Sequence, residues 1–168
     1  MRRWAGLVAL VVLAAGCGYR LAGRPGDAVA TVRIEPVDDR AAEPLFGPLL
    51  ARAMAREVVD RGDLRLGRGP AADLVVRVRV DEVTESGAAY GAGGLVEYRV
   101  RARVTATVAD RAGRVQWRGT LEEDREFPAG ADVNATERAK DQALEALASD
   151  LARAVLRRAS IAALGEGS

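Results

Sequence analysis

Histidine is absent from this chain of 168 residues, and cysteine occurs once, at Cys17. Histidine is the most common general base and the most common metal ligand in proteins, so its absence argues against most catalytic and metal centres. A single cysteine also excludes a disulfide within the chain. We therefore predict no catalytic residues, no metal and no cofactor, and a domain that is stabilised by its hydrophobic core.

The chain has no excess of charge of one sign. It contains 25 Lys and Arg against 24 Asp and Glu, and losing Arg2 and Arg3 with an N-terminal leader lowers the basic count to 23. Aromatic residues, on which bases would stack, make up only 4% of the chain. The composition therefore predicts no nucleic-acid partner.

The N-terminus has the parts of an export signal. Arg2 and Arg3 precede an apolar run from Trp4 to Ala15, and small residues follow it. The run is shorter than the roughly 20 residues that a membrane-spanning helix needs. It therefore predicts a leader peptide, which we place at residues 1–16.

The lone cysteine lies directly after this leader. Ala14-Ala15-Gly16-Cys17 resembles a lipobox, although Ala14 stands where Leu is usual. The pattern predicts cleavage before Cys17, lipidation of Cys17 and anchoring to a membrane by acyl chains. Gly18 follows in place of the Asp that retains lipoproteins on the inner membrane, which favours the periplasmic face of the outer membrane. The alternative is a secreted protein that is cut near Ala15.

The body of the chain is of one-domain size. We predict that residues 17–27 form the lipidated N-terminus and a tether, that residues 28–160 form the folded domain, and that residues 161–168 form a flexible tail. Within the domain, β-branched residues predict a first strand over 28–37, and apolar residues three and four apart predict helices over 43–61 and from Asn134 to about 159. Asn134 and Glu137 are spaced as a capping pair for the second helix.

Three further strands follow from strict alternation of apolar and polar residues. They cover residues 74–83, 95–110 and 115–127, with a Gly- and Ala-rich loop predicted over 86–94 and a tight turn over 110–113. Leu64 to Leu66 fits a short edge strand. The order β-α-β-β-β-α predicts an α+β two-layer sandwich: a four-stranded, mostly antiparallel sheet with two helices on one face. Five residues are expected in its core: Val100, Val104, Trp117, Leu147 and Leu151.

Strand parity places six arginines on the sheet face opposite the helices: Arg77, Arg79, Arg99, Arg101, Arg103 and Arg118. Asp81, Glu97 and Glu122 share this face but are too few to balance them. Arginine binds phosphates and carboxylates through a planar fork of donors. The face is either an anion-binding or partner-binding surface or an ordinary solvated surface.

Four segments of the chain resemble the LPS-assembly lipoprotein family LptE. They are Cys17-Gly18-Tyr19-Arg20-Leu21 at the predicted mature start, Phe46-Gly47-Pro48-Leu49, Glu97-Tyr98-Arg99-Val100, and Asp124-Arg125-Glu126-Phe127. They occur in the family's order and span the mature chain.

The resemblance implies a non-enzymatic lipoprotein of the outer membrane. Such a protein would help a β-barrel partner of the LptD type to fold, plug its lumen and bind lipopolysaccharide on its way to the cell surface. Two alternatives remain open at this stage: an adaptor lipoprotein of another envelope assembly machine, and a carboxylate-based periplasmic hydrolase.

Overall fold

A computed structural model describes residues 30–91 and 94–164. The predicted leader, Cys17 and the tether lie outside these residues. The described chain forms six strands and two helices: β1 (Ala30–Ile34), β2 (Asp38–Asp39), α1 (Phe46–Arg61), β3 (Leu64–Leu66), β4 (Leu74–Gly91), β5 (Gly94–Asp110), β6 (Val115–Pro128) and α2 (Val133–Ala163).

The strands form one mixed sheet in the order β3-β1-β4-β5-β6, and β2 pairs with β4 as well. β1 is parallel to both of its neighbours, and β2 is parallel to β4. β4, β5 and β6 form the predicted antiparallel meander. The α+β class is confirmed, but the predicted four-stranded, mostly antiparallel sheet is wrong. β2 and β3 have two and three residues, too few for a readable alternation, although the edge position of Leu64–Leu66 is confirmed.

The two helices pack against each other and cover one face of the sheet, where a single core forms. Val100, Val104, Leu147 and Leu151 are buried there, as predicted. Trp117 is only half-buried and packs at the margin of the core. Its ring lies against Gly119, and the Arg158 guanidinium lies 5.4 Å from the ring centre.

The β4–β5 hairpin is longer than the sequence pattern predicts. Residues 86–91, expected as part of a loop, continue β4 and pair with β5 from Arg99 back to Gly94. Register shifts at Gly87 and Ala89 mark this stretch. Main-chain hydrogen bonds hold it as a strand although its Gly and Ala side chains have low β-propensity.

Both helices begin with a cap that the sequence did not suggest. Asp39 of β2 accepts a hydrogen bond of 2.9 Å from the Gly47 N–H in the first turn of α1. Asp132 caps α2 by accepting a hydrogen bond from the Ala135 N–H at 2.8 Å, so the predicted capping pair of Asn134 and Glu137 is wrong.

α2 extends to Ala163 and includes the first residues of the predicted tail. Among the described residues, no helix combines the length and the apolar composition that crossing a bilayer requires.

Candidate functional site: a face of paired arginines

The sheet face that points away from α1 and α2 is called the outer face here. It carries all six arginines that strand parity placed there, because their neighbours in sequence, such as Val76, Val78 and Val104, are buried against the helices. Each of the six side chains is exposed or half-buried. They are distributed over β4, β5 and β6 as Arg77 and Arg79; Arg99, Arg101 and Arg103; and Arg118.

Carboxylates of neighbouring strands hold the arginines of β5. Arg99 pairs with Glu126 of β6, and Arg101 and Arg103 approach Glu122 of the same strand at 3.4 and 3.1 Å. The hydrogen bond and charge of Glu126 raise the pKa of Arg99 above its ordinary value. These cross-strand pairs form a ladder along β5 and β6.

The ladder continues onto β4. Arg103 also lies 3.7 Å from Glu82, while Arg79 donates to Asp81 at 2.5 Å. Arg77 donates to Glu35, which follows β1, at 2.8 Å. Five of the six arginines therefore have carboxylate partners, and the predicted excess of positive charge on this face is wrong.

A β-bulge explains part of this difference. The pairing register of β4 and β5 shifts between Val80 and Glu82. Asp81 contacts Arg79 and Thr105, and Glu82 contacts Arg103, so two consecutive carboxylates lie on the outer face. Strict alternation assigns only one of them to this face, because a bulge adds a residue that the two-residue period does not count.

Burial and hydrogen bonding act in opposite directions on Asp81. Desolvation raises the pKa of its carboxyl, but hydrogen bonds from Thr105 and Arg79 outweigh this and hold the pKa below its ordinary value. The Thr105 hydroxyl donates to Asp81 at 2.6 Å and also lies 3.5 Å from the Thr120 hydroxyl. The charged form of Asp81 is therefore the one that the outer face stabilises.

Arg118 has a different environment from the other five. Its Nε donates to the Thr107 hydroxyl at 3.2 Å, and among the described residues no carboxylate forms an ion pair with it. Arg77, Arg79 and Arg118 line one groove of about 440 Å³ on the outer face. The remaining lining residues are Glu35, Pro36, Asp38, Val78, Thr105 and Thr107.

A second charged cluster lies where α2 meets the hairpin. Lys140 of α2 contacts Glu43 and Glu85, each at 3.1 Å. Desolvation lowers the pKa of Lys140, but the two carboxylates outweigh it and raise the pKa above its ordinary value. No sequence pattern indicates this bridge, because its three members are far apart in the chain. Within the described ranges, no group of three or more His, Cys, Asp or Glu side chains is arranged to hold a metal ion.

A family model described as "LptE: Lipopolysaccharide-assembly" matches residues 29–159. No curated protein matches the chain by sequence. The fold is shared with several solved lipoproteins. The rare lipoprotein B from Shewanella oneidensis superposes with a TM-score of 0.57 at 13% identity, covering 79% of this chain and 98% of that one.

Two further structures show the same architecture. The lipoprotein B from Nitrosomonas europaea gives a TM-score of 0.61 at 15% identity, covering 86% of this chain and 91% of that one. A lipoprotein from Caulobacter crescentus gives a TM-score of 0.54 at 18% identity, with coverage of 79% and 91%. At these identities the likeness concerns the fold.

Proposed function

The chain belongs to the LptE lipopolysaccharide-assembly family, whose members are non-enzymatic assembly factors, and we propose that it works beside an LptD-type β-barrel in the outer membrane. There it helps the barrel to assemble, plugs its lumen and binds lipopolysaccharide during delivery to the cell surface. The observation that carries this proposal is the extent of the family match, residues 29–159. This range runs from the residue before β1 to the last turns of α2.

The proposed location of the protein rests on the predicted leader peptide and lipid anchor. We propose that Cys17 is lipidated and holds the domain to the outer membrane, with the tether of residues 17–27 between anchor and sheet. Gly18 supports the outer rather than the inner membrane. Several acyl chains on one residue give lasting attachment, which a factor resident at a barrel requires.

The outer face is the surface that we assign to partner and lipid. Arg99, Arg101 and Arg103 are already paired, so a free phosphate would have to displace Glu122 or Glu126 to bind them. The wall of a barrel lumen that carries both acidic and basic side chains can instead add further ion pairs to the ladder. We therefore assign these three arginines to the barrel and Arg118, which pairs with no carboxylate among the described residues, to the anionic ligand, with Arg77 and Arg79 beside it in the groove.

Co-purification tests the partnership directly. The native, tagged protein would be isolated from outer membranes solubilised in mild detergent, and the bound proteins identified by mass spectrometry. We expect one large β-barrel protein in a constant ratio to the chain. Recovery of a different envelope complex, or of the chain alone under conditions that preserve other barrel complexes, would contradict the proposal.

A further inference from the structure

Several parts of the chain meet at one end of the domain, which is called the basal end here. β1 begins at this end, beside β3. The Ser160 hydroxyl, near the end of α2, donates to Asp63 between α1 and β3 at 2.8 Å. Arg111, in the turn between β5 and β6, donates to the Ala71 carbonyl in the loop before β4 at 2.9 Å. The basal end therefore comprises the start of β1 and residues 59–73, 110–115 and 157–164.

Most acidic side chains of the basal end are neutralised, whereas several of its arginines are not. Asp63, Asp73 and Asp110 each form an ion pair with an arginine at 2.7–2.9 Å. Among the described residues, Asp60 is the one acidic side chain of this end without such a partner. Four exposed arginines pair with no carboxylate within the described ranges: Arg65, Arg68, Arg157 and Arg158. The basal end therefore carries an excess of positive charge.

Exposed apolar side chains lie at the same end as these arginines. Val59 is near the end of α1, Leu66 ends β3, Val115 begins β6 and Leu164 follows α2. Their exposed fractions range from 42% at Leu66 to 71% at Val59. Binding at a membrane interface increases with the apolar area that enters it and with the attraction of cations to anionic lipids. The basal end provides both contributions.

The opposite end of the domain is acidic. α2 has 31 residues, so its first turn lies about 45 Å from the basal end. In its first turns Glu137, Asp141 and Glu145 outnumber Arg138, and Lys140 is already held by two glutamates. An anionic surface would therefore attract the basal end and repel the other, which orients the domain with its long axis away from that surface.

The proposed anchor joins the domain at the basal end. Residues 17–29 connect Cys17 to the start of β1. A segment of that length spans at most about 45 Å when fully extended. A lipid on Cys17 would therefore keep the basal end near the membrane, at a high local concentration relative to the headgroups.

We infer that the basal end docks on the anionic phospholipid surface of the membrane, with its four unpaired arginines at the phosphates and its exposed apolar side chains between the headgroups. Each basic residue near such a surface adds to the attraction, and salt screens it. This inference rests on the proposed function for the lipid anchor alone and requires neither the barrel nor lipopolysaccharide.

Fluorescence of the full-length, lipidated protein in vesicles tests the docking. In Val115→Cys, acylation of Cys17 leaves one thiol to carry an NBD label. With phosphatidylglycerol in phosphatidylcholine vesicles, we expect the emission of this label to shift to the blue. In phosphatidylcholine alone, or at 1 M salt, where the screening length is about 3 Å, it should stay at its value in water. Val133→Cys, exposed at the opposite end, should show no shift.

The arginines are tested in the labelled Val115→Cys protein. R65Q with R68Q should lower the ratio of docked to undocked protein by about 25-fold, since each basic residue near the surface contributes about fivefold, or about 1 kcal/mol. Neither lies in a helix, whose C-terminal carbonyl groups attract arginine without a membrane. R52Q with R56Q removes the same charge from exposed positions of α1 before the basal end and should dock as the native protein does. Circular dichroism verifies that each variant is folded.

An equal blue shift at positions 115 and 133, or native-like docking of the R65Q and R68Q double variant, would overturn the docking surface. A shift in vesicles that contain lipopolysaccharide, with none in those that contain phosphatidylglycerol, would also overturn it. If the barrel co-purifies but the label at position 115 stays in water, the inference fails while the proposed function stands. If the shift occurs and no barrel co-purifies, the proposed function fails and the docking stands.

Discussion

Asp39 joins β2 to α1 through a hydrogen bond of 2.9 Å from the Gly47 N–H to its Oδ2 atom. The same carboxylate accepts from the Ala41 N–H at 3.1 Å. Leu45, the residue at the start of the helix, provides no side-chain cap. A residue of the sheet therefore supplies the acceptor that the first turn of α1 needs.

Replacing Asp39 by Ala should lower the free energy of unfolding by about 1 kcal/mol, because an N–H of the first turn loses its acceptor. Urea unfolding followed by circular dichroism would measure this. Asp38→Ala is the control: its carboxylate is exposed and, among the described residues, pairs with Arg40 alone, so we expect a change within about 0.5 kcal/mol. Equal effects of the two substitutions would show that the cap does not contribute.

Gly47→Ala should also destabilise the domain. A Cβ at this position would lie 2.5 Å from Asp39 Oδ2, so either the carboxylate or the helix must move. The double variant Asp39→Ala with Gly47→Ala should be less than additive, because removing the carboxylate removes the shortest contact and leaves the one of 2.9 Å to the Cβ of residue 39. Full additivity in the same urea experiment would disprove this coupling.

Leu151→Ala should cost about 2–5 kcal/mol of stability, the range for large-to-small changes at fully buried sites. Leu151 has no exposed surface and lies in the stripe of α2 that faces the sheet. Leu164→Ala is the matched control, since Leu164 is 60% exposed beyond the same helix. A denaturation midpoint of Leu151→Ala that stays at the native value would contradict the assigned packing.

Acid should weaken the link between the end of α1 and α2. Arg61 donates to both oxygens of Asp63, and Ser160 donates to Asp63 Oδ2 at 2.8 Å. The hydrogen bond from Arg61, then that from Ser160, outweigh desolvation and lower the pKa of Asp63 below its ordinary 3.8. Since the folded pKa is the lower one, the stabilisation is complete above pH 3.8 and is lost as pH falls through the folded value.

Asp63→Asn should therefore be less stable than the native protein at neutral pH by about 1 kcal/mol, a value reduced for the partial exposure of the pair. The difference should shrink as the pH is lowered below 3.8 in a series of urea titrations. Asp60→Asn, an exposed change on the same helix, should give no such pH-dependent difference. If the difference in the free energy of unfolding between Asp63→Asn and the native protein stays constant down to acid pH, the ionised Asp63 does not stabilise this contact.

Cys17→Ser should leave the domain folded and release it from the membrane, because the acyl chains are its predicted anchor. Intact-mass analysis of the native protein should show an acylated chain that starts at Cys17. An unmodified N-terminus in the membrane fraction would refute lipidation.

Neutralising Arg99, Arg101 and Arg103 to Gln should reduce co-purification of the barrel and leave lipopolysaccharide binding by the isolated protein near its native level. Charge reversal is less informative, since a Glu at position 101 or 103 would face Glu122 across the strands. Arg52, Arg56 and Arg157, exposed on the helices, provide a triple Gln control of equal charge. If the triple Gln variant at these three positions loses lipopolysaccharide binding but still co-purifies the barrel, the arginines of β5 contact the lipid and our assignment is reversed.

The long alternating segments made most of this structure predictable. From Val100 to Val108 every second residue is buried, so parity alone identified the outer face and its arginines. Alternation predicts the sheet face on which a side chain lies, but it does not predict which side chain of a neighbouring strand pairs with it. Glu126 and Glu122 neutralise their arginines only because β6 pairs with β5 in one particular register.

The parts that were not predictable depend on contacts distant in sequence or on backbone hydrogen bonds. β2 is two residues long and exists because Asp38 and Asp39 align with Arg79 and Val80. Ser86 to Gly91 has the composition of a loop, but the facing strand supplies its hydrogen-bond partners. The bulge beside Asp81 breaks the very period from which strand faces were inferred.

The interior position of β1 has a mechanical consequence. A lipid on Cys17 would transmit any pull on the anchor into the N-terminal end of β1, which lies between β3 and β4 and runs parallel to both. Force directed along a strand loads the hydrogen bonds on both of its sides together, whereas force at an edge strand's end would open them one at a time. If Cys17 is the anchor, as we propose, a pull on it would load the sheet in shear, which is the direction in which β1 resists most strongly.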